Sequence, residues 1–226
     1  MREVVIDTET TGLNYASGDR IIEVGCVEVI NYVPSGNKLG FYCKVDKQIS
    51  EDAKKISGIT NQFLADKKTF EDQHEEFLNF IKEDTLVIHN ASFDTGFINN
   101  ELKIIGKEKL KNKIIDTVVL ARKVLNTRIA NLDYLCRHFD IDLSKRKQHG
   151  ALLDAQLLAE VYLELKGGKQ ISMDLTSKNN LKKESFKKNE QFNKTSQKIN
   201  ISEEEINSHK VLVKKIKNPI WNNYDY

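Results

Sequence analysis

The chain of 226 residues is poor in the residue types that build covalent or thiolate-bound scaffolds. It has only three cysteines, Cys26, Cys43 and Cys136, without a Cys-x-x-Cys pair, so neither a disulfide framework nor a thiolate zinc site is expected. It also lacks any run of the roughly 18 apolar residues that a bilayer-spanning helix needs, and no apolar signal region precedes the first predicted strand. We therefore expect a protein of the reducing cytoplasm that makes no membrane contact.

A strong net charge is also missing, because 35 Lys and Arg residues are balanced by 33 Asp and Glu residues, for a net charge of +2. The balance is uneven: residues 1–170 hold 24 basic and 26 acidic side chains, whereas residues 171–226 hold 11 and 7. A slightly acidic body does not bind nucleic acid by general attraction. A nucleic-acid contact there must be local and aided by metal ions.

The sequence does contain a clear succession of strand and helix patterns. Apolar, β-branched runs at 4–6, 21–30 and 39–45 predict an antiparallel meander of three strands, with turn-forming residues at 34–37. Helical spacing follows at 70–81, and strands at 86–88 and 114–115 then alternate with helices after Ser92 and at 118–125, 131–139 and 150–166. This order indicates an α/β fold with a mixed sheet flanked by helices.

The composition changes after Gly167-Gly168, which predicts a folded body at 1–168 and a tail. Residues 176–198 contain only three strongly apolar residues among seven lysines, too few to offset chain entropy, so 169–200 is predicted as a flexible linker. Apolar residues return within 201–226, where the single tryptophan, Trp221, stands. We expect this last segment to fold on a partner.

Two carboxylates follow the first apolar strand. Asp7 and Glu9 alternate with Thr8 and therefore point to the same side of the strand. Like charges at a buried strand end lose hydration and repel each other, at a cost of several kcal/mol per charge unless a cation compensates. A bound metal is one solution. A polar strand end with both acids in solvent is the alternative, and it is the more common one for an isolated Asp-x-Glu.

Two further acids are predicted at helix starts. Asp94 falls in the first turn of the helix after the strand at 86–88, where it is a metal ligand or a charge that favours the helix dipole, with Ser92 as the cap. Asp154 stands among leucines and alanines at the start of the last predicted helix, and an acid in such apolar surroundings needs a partner. His149 precedes it by five residues at a glycine-flexible helix start.

Together these residues favour one chemistry. Four carboxylates, Asp7, Glu9, Asp94 and Asp154, are hard oxygen donors that suit Mg²⁺ or Mn²⁺. Two such ions about 3.5–4 Å apart support in-line displacement at phosphorus. His149 is a suitable base for the attacking water near neutral pH. The sequence therefore predicts phosphodiester hydrolysis.

Three segments carry a resemblance to a known family. Val-Ile-Asp-Thr-Glu-Thr-Thr-Gly-Leu at 5–13, Val-Ile-His-Asn-Ala-Ser-Phe-Asp at 87–94 and His-Gly-Ala-Leu-Leu-Asp-Ala at 149–155 resemble the exonuclease motifs of the DEDDh 3′–5′ exonucleases. Over about 1–168 the chain resembles the proofreading epsilon-subunit family of bacterial DNA polymerase III. The resemblance implies a ribonuclease-H-like fold, two Mg²⁺ or Mn²⁺ ions on the four acids, His149 as general base, and release of nucleoside 5′-monophosphates.

The resemblance also implies substrate contacts. Asp7, Glu9 and Asp154 would lie against the 3′-terminal nucleotide, and Asp52 and Ser57 map to a substrate-contacting segment in which Ser57 replaces the histidine usual in the family. The alternative for Asp52 and Ser57 is that both are ordinary loop residues. Asp116, which follows the strand at 114–115, is either an acid that supports the metal ligands without binding the metal itself or a helix cap, and we favour the cap.

The tail carries two weaker resemblances. Residues 170–175 resemble the glutamine-led peptides that bind the bacterial sliding clamp, with Gln170, Met173 and Leu175 as contacts; the alternative is a chance match in a linker. Residues 201–226 resemble the epsilon segment that binds the polymerase catalytic subunit, and burial in that partner is the expected purpose of Trp221.

Three functions follow from these patterns. The first is a DNA exonuclease that proofreads a single-stranded or frayed DNA 3′ end. The second is a DEDDh exoribonuclease that trims RNA 3′ ends, which the residues leave open because recognition of the 2′-hydroxyl is not visible in sequence. The third is an inactive polymerase-binding scaffold, and the presence of all five predicted catalytic residues argues against it.

Overall fold

A computed structural model describes residues 1–144, 146, 148–167 and 202–215. The chain divides into two units, 1–174 and 175–226. The predicted domain boundaries at 168 and 200 lie outside the described residues, as do Gln170, Met173, Leu175 and Trp221. In the described ranges, none of the helices combines the length and the apolar character that a membrane-spanning segment needs.

The first unit is built on a five-stranded mixed sheet. Its strands are β1 (Arg2–Thr10), β2 (Ile21–Ile30), β3 (Val33–Tyr42), β4 (Thr85–Ile88) and β5 (Ile114–Asp116), in the spatial order β3-β2-β1-β4-β5. The pairs β1–β2 and β2–β3 are antiparallel, which confirms the predicted meander, and β4 and β5 add in parallel beside β1. The carboxyl ends of β1, β4 and β5 therefore meet at one edge of the sheet.

The turn between β2 and β3 differs from the prediction. Residues 34–37 lie within β3, and the chain reverses instead at Asn31 and Tyr32, whose φ angles are 51° and 69°. Positive φ at two successive residues matches the right-handed twist of a tight hairpin. Pro34 is accommodated because β3 is an edge strand, whose outer side forms no hydrogen bonds to a neighbouring strand.

Helices cover both faces of the sheet. In the first unit they are α1 (Glu51–Ser57), α2 (Asn61–Leu64), α3 (Phe70–Ile81), α4 (Ala91–Ile104), α5 (Thr117–Leu125), α6 (Leu132–His138) and α7 (Ala151–Leu165). The predicted helices from α3 to α7 are confirmed to within a few residues, whereas the patterns contained no prediction for α1 and α2. In the second unit, α8 (Glu203–Lys214) begins with a capping box between Ser202 and Glu205.

The sheet separates two apolar layers, and alternate residues of β1 feed each of them. Val4 and Ile6 pack with α3 and α4 on one face, whereas Val5 packs with α5, α6 and α7 on the other. All three side chains are fully buried. Because successive strand residues point to opposite faces, Thr8 lies on the face of the sheet covered by α4, and Asp7 and Glu9 lie on the face covered by α7.

The starts of α4 and α5 are tied together by one carboxylate. Asp116 caps α5 by accepting a hydrogen bond from the Val118 amide at 2.8 Å, and it also accepts one from the Ala91 amide of α4 at 3.0 Å. The cap favoured for Asp116 is therefore present. Ser92 as the cap of α4 was wrong, because the helix begins after Asn90, which has a left-handed φ of 60°.

Candidate active site

A cavity of about 250 Å³ opens at the edge of the sheet where β1 and β4 end. It is lined by Asp7, His89, Asn131, Leu132, Asp133, Arg146, His149 and Asp154. Three of the five predicted catalytic residues therefore share one cavity. Glu9 joins them, because ligand atoms of Glu9, His149 and Asp154 all lie within 4.8 Å of one another.

Asp94 reaches the same region from the α4 side of the sheet. It lies in the first turn of α4 and is buried, and its Oδ1 accepts a hydrogen bond of 2.7 Å from the hydroxyl of Thr8. Thr8 stands between Asp7 and Glu9 on β1. One strand thus places two acids on one of its faces and holds a third acid through the residue on its other face.

Asp154 is positioned by the close approach of α7 to β2. A Cβ atom on Gly25 would lie 2.3 Å from backbone atoms of Ala151 and Leu152, so a residue with a side chain cannot occupy this position without displacing the helix. The carboxylate of Glu23, also on β2, accepts a hydrogen bond of 3.0 Å from the Ala151 amide. These contacts fix the first turn of α7, which carries Asp154.

The clustered carboxyl groups hold protons more tightly than ordinary acids. Burial, followed by the nearby charges of Asp94, Asp154 and Glu9, raises the pKa of Asp7 well above its ordinary value. Burial and the charge of Asp154 raise the pKa of Glu9 to about 8. Burial also raises the pKa of Asp94 to about 7, against the hydrogen bond from Thr8, which lowers it. Without a bound cation, burial and mutual repulsion therefore favour the protonated form of these acids.

This donor set fits divalent cations. All the acids offer oxygen, which is the ligand atom preferred by Mg²⁺ and Mn²⁺, and the three cysteines are buried away from the cavity lining. Close placement of several carboxylates in a buried site is unfavourable unless positive charge compensates it. The residues that would hold the cations are Asp7, Glu9, Asp94 and Asp154.

His149 lies beside Asp154 with much of its side chain in solvent. Its Nδ1 is 3.2 Å from Oδ2 of Asp154, and its side chain is 44% exposed, so that water has access to the ring. Its backbone amide donates a 3.1 Å hydrogen bond to the carbonyl of Ile56, which ties the backbone at His149 to α1. His149 thus has both an acidic neighbour and a fixed backbone.

A larger groove of about 660 Å³ adjoins the acids. Glu9, Leu13, Asp52, Ile56 and Phe93 are among its lining residues. The side chain of Asp52 is 90% exposed and pairs with Lys55 at 3.7 Å. By contrast, Ser57 is buried: its hydroxyl donates to the Ala53 carbonyl at 2.9 Å and accepts from the Ile59 amide at 3.2 Å. The structure brings Asp52 into the groove and keeps Ser57 within the end of α1.

Three residues of the site were missed by the sequence patterns. Thr8 was treated only as the spacer between two acids, although it binds Asp94. Glu23 could have been found as the acid inside the apolar run of β2. Arg146 donates to both oxygens of Asp154, at 2.6 and 2.7 Å, and its signal was the basic triplet Lys145-Arg146-Lys147 just before His149.

The fold and the cluster of acids at the edge of its sheet are those of an exonuclease, and comparison with known proteins indicates the same class of protein. The sequence model of the exonuclease family, RNase_T, matches residues 4–162. The solved structure of Exonuclease X in complex with 5′ overhanging duplex DNA superimposes with a TM-score of 0.59 at 26% identity, over 73% of this chain and 90% of that one.

Related proteins of known name identify the particular family of exonucleases. The DNA polymerase III subunit epsilon of Rickettsia felis is 40% identical over 223 residues, which cover 96% of this chain and 97% of the relative. That of Salmonella typhimurium is 47% identical over 180 residues, covering 76% of this chain and 74% of the relative. The chain therefore belongs to the DNA polymerase III epsilon-subunit family of exonucleases.

Proposed function

We propose that the chain removes nucleotides from the 3′ end of DNA and so proofreads for the replicative polymerase of a bacterium. As a member of the epsilon-subunit family it is a metal-dependent 3′–5′ exonuclease. The observation that carries the proposal is the convergence of Glu9, His149 and Asp154, with ligand atoms within 4.8 Å of one another, in an exonuclease fold.

The acids are assigned as the cation site. Asp7, Glu9, Asp94 and Asp154 would hold two Mg²⁺ or Mn²⁺ ions. The raised pKa values of Asp7, Glu9 and Asp94 and the burial of Asp94 and Asp154 support a site built to receive positive charge. When bound, two such cations supply an activated water and stabilise the oxygen that leaves phosphorus. Thr8 and Glu23 orient the set, the first through Asp94 and the second through the start of α7.

His149 is assigned as the general base. It accepts the proton of the attacking water, and Asp154 beside it stabilises the imidazolium that results. The oxygen of water forms a bond to the terminal phosphorus as the bond from phosphorus to the 3′-oxygen of the preceding nucleotide breaks. That oxygen takes up a proton, so the products are a nucleoside 5′-monophosphate and a strand with a free 3′-hydroxyl.

The groove beside Glu9 is assigned to the 3′-terminal nucleotides of a single-stranded or frayed end. Leu13 is 85% exposed there, and Ile56 and Phe93 add apolar surface on which bases can stack. Asp7, Glu9 and Asp154 would contact the terminal nucleotide, and Asp52 would contact it from the opposite wall. A direct contact from Ser57 has less support, because its hydroxyl is already used within α1.

The tail is assigned to protein partners. Residues 201–226 would bind the polymerase catalytic subunit, with Trp221 as an anchor, and α8 supplies a ready-formed helix within this segment. Residues 170–175 would bind the sliding clamp through Gln170, Met173 and Leu175. A proofreading role on bacterial DNA would locate the chain in the cytoplasm.

The hydrolysis assignment is tested with Asp7→Ala and His149→Ala on a 3′-labelled single-stranded DNA. Mg²⁺-dependent trimming should fall by about 10²–10⁴-fold for His149→Ala and at least as far for Asp7→Ala. Asp66→Ala is the matched control, because Asp66 pairs with Lys67 outside the site. Unchanged trimming by both site variants would refute the assignment, and no trimming by the unmodified chain would favour the inactive scaffold.

The choice of polymer needs a separate measurement. Single-stranded DNA and RNA of equal sequence are degraded side by side with the same enzyme concentration and Mg²⁺. Faster turnover of DNA is expected for a proofreading enzyme. Faster turnover of RNA would replace the proposal with the exoribonuclease.

A further inference from the structure

Arg146 lines the same cavity as Asp7, His149 and Asp154. Its side chain is only 7% exposed, and its guanidinium makes a two-pronged contact with Asp154, from Nε to Oδ1 at 2.6 Å and from Nη2 to Oδ2 at 2.7 Å. The remaining nitrogen, Nη1, donates to Asp133. Nη2 also lies 2.9 Å from Nδ1 of His149. The guanidinium of Arg146 therefore contacts a proposed metal ligand, Asp154, and the proposed base, His149, at the same time.

The contact with Asp154 conflicts with a divalent cation. Both oxygens of Asp154 are engaged by the guanidinium, and a cation on either oxygen would lie within a few ångströms of that positive group. Like charges at such a distance repel strongly in a partly buried site. Arg146 and the cation therefore compete for Asp154.

The contact with His149 blocks the base. A guanidinium has only donors, so Nδ1 of His149 must be the acceptor of this hydrogen bond. Neutral imidazole has a single acceptor nitrogen. While Nη2 occupies it, His149 has no lone pair with which to take a proton from water.

We infer that Arg146 is a resident counter-ion that holds Asp154 and His149 in the cation-free chain, and that a divalent cation must displace it from Asp154 before the site can act. The inference rests on the proposed function, since it takes Asp154 as a cation ligand. Arg146 is a positioning residue, because it acts through Asp154 and His149. Its bond to Asp133, whose side chain is 44% exposed, keeps the released guanidinium at the edge of the cavity.

The test compares full-length chains carrying Arg146→Gln or Arg146→Lys with the unmodified chain, using Mn²⁺ alone as the probe. Mn²⁺ affinity is measured by calorimetric titration, and Tm is measured in EDTA and in saturating Mn²⁺. Arg20→Gln is the matched control: Arg20 makes the same two-pronged contact with buried Glu101, at 2.7 and 2.6 Å, outside the cavity lining.

Arg146→Gln should bind Mn²⁺ on the order of tenfold more tightly, because the competitor is gone. Its Tm in EDTA should fall on the order of 5–10 °C, because Asp154 loses its counter-ion, and most of that loss should return with Mn²⁺. Arg146→Lys should lie between the two in affinity. Arg20→Gln should lose Tm equally in EDTA and in Mn²⁺ and keep the affinity of the unmodified chain.

Unchanged or weaker Mn²⁺ affinity in Arg146→Gln would overturn the inference, since a residue that only braces the loop would give that result. If Arg146→Gln does not fold, the Nε–H resonance of Arg146 in the unmodified chain decides by NMR. It should shift on addition of Mg²⁺, and an unshifted resonance in the Mg²⁺-saturated protein would contradict displacement. Failure of the unmodified chain to bind Mn²⁺ at all would overturn the proposed cation site as well.

Discussion

Gly25→Ala is predicted to disable the site although Gly25 carries no functional group. Gly25 pairs with Asp7 across the β1–β2 ladder, and its missing side chain leaves room for the first turn of α7. An added Cβ would meet the backbone at Ala151 and Leu152 at 2.3 Å. Backbone cannot rotate away as a side chain can, so either the start of α7 or strand β2 must move.

The size of that movement sets the size of the effect. Ordinary contact begins near 3.4 Å, so α7 must retreat by about 1 Å. Overpacking of this kind costs about 1–3 kcal/mol, which corresponds to a fall in Tm of about 2–4 °C for each kcal/mol in a chain of this length. The retreat also carries Asp154 away from Glu9 and His149, and a misplacement of 1 Å can lower kcat by about 10²-fold.

Gly40→Ala provides the matched control, because its Cβ would meet the side chain of Leu152 and no backbone, with the shortest distance, 2.9 Å, to Cδ2 at the flexible end of that side chain. Thermal unfolding followed by circular dichroism gives Tm, and trimming of a 3′-labelled oligonucleotide gives kcat. Gly40→Ala should stay within a few degrees and within a few-fold of the unmodified chain. The reasoning fails if Gly25→Ala matches the unmodified chain in both measurements, or if the two variants lose equally.

Three further results are expected. In EDTA, Tm should fall as pH rises from about 4 to 8, because burial raises the pKa of Glu9 to about 8 and that of Asp94 to about 7, so that the folded chain binds protons more tightly than the unfolded chain. Saturating Mg²⁺ should remove most of this fall in Tm. A Tm that does not change with pH in EDTA would contradict the prediction. Thr8→Val should lower the free energy of unfolding, measured in urea, by about 1–3 kcal/mol and should weaken Mn²⁺ binding, because Asp94 loses a buried hydrogen bond. Thr8→Ser should restore the stability and the Mn²⁺ affinity. Deletion of 201–226 should abolish co-purification with the polymerase catalytic subunit and spare hydrolysis of short single strands; loss of both would place the tail within the catalytic fold.

Periodicity predicted those elements whose burial is regular. The helix α3 was found because its apolar residues recur at the spacing of the face that it buries, and β2 was found as a continuous apolar run because nearly all of its residues are buried. The helix α1 gave no such signal, because its side chains are largely exposed and only Ser57 is buried. The hairpin was misplaced for a different reason: Pro34 and Gly36 are turn-forming types, but the positive φ angles occur at Asn31 and Tyr32.

The acidic residues were predictable because the ends of neighbouring parallel strands meet at one edge. Asp7 lies near the carboxyl end of β1, and Asp94 follows β4 within a few residues, so the parallel pairing of the two strands brings them near each other. The partners of these acids depend instead on tertiary contacts. Glu23 reaches the Ala151 amide across 128 positions, and Arg146 reaches Asp154 from a loop, and neither contact leaves a periodic pattern in the sequence.

The site also depends on both apolar layers at once. Asp94 comes from the α4 side of the sheet and is held by Thr8, whereas Asp154 comes from the α7 side and is held through the close approach at Gly25. Because the acids repel one another, each layer works against that repulsion to keep its own carboxylate in place. A substitution that loosens either layer should therefore relax the acids apart and weaken cation binding before it unfolds the chain. Substitution of residues that are not proposed cation ligands, such as Gly25 and Thr8, should for that reason lower cation affinity as well as stability.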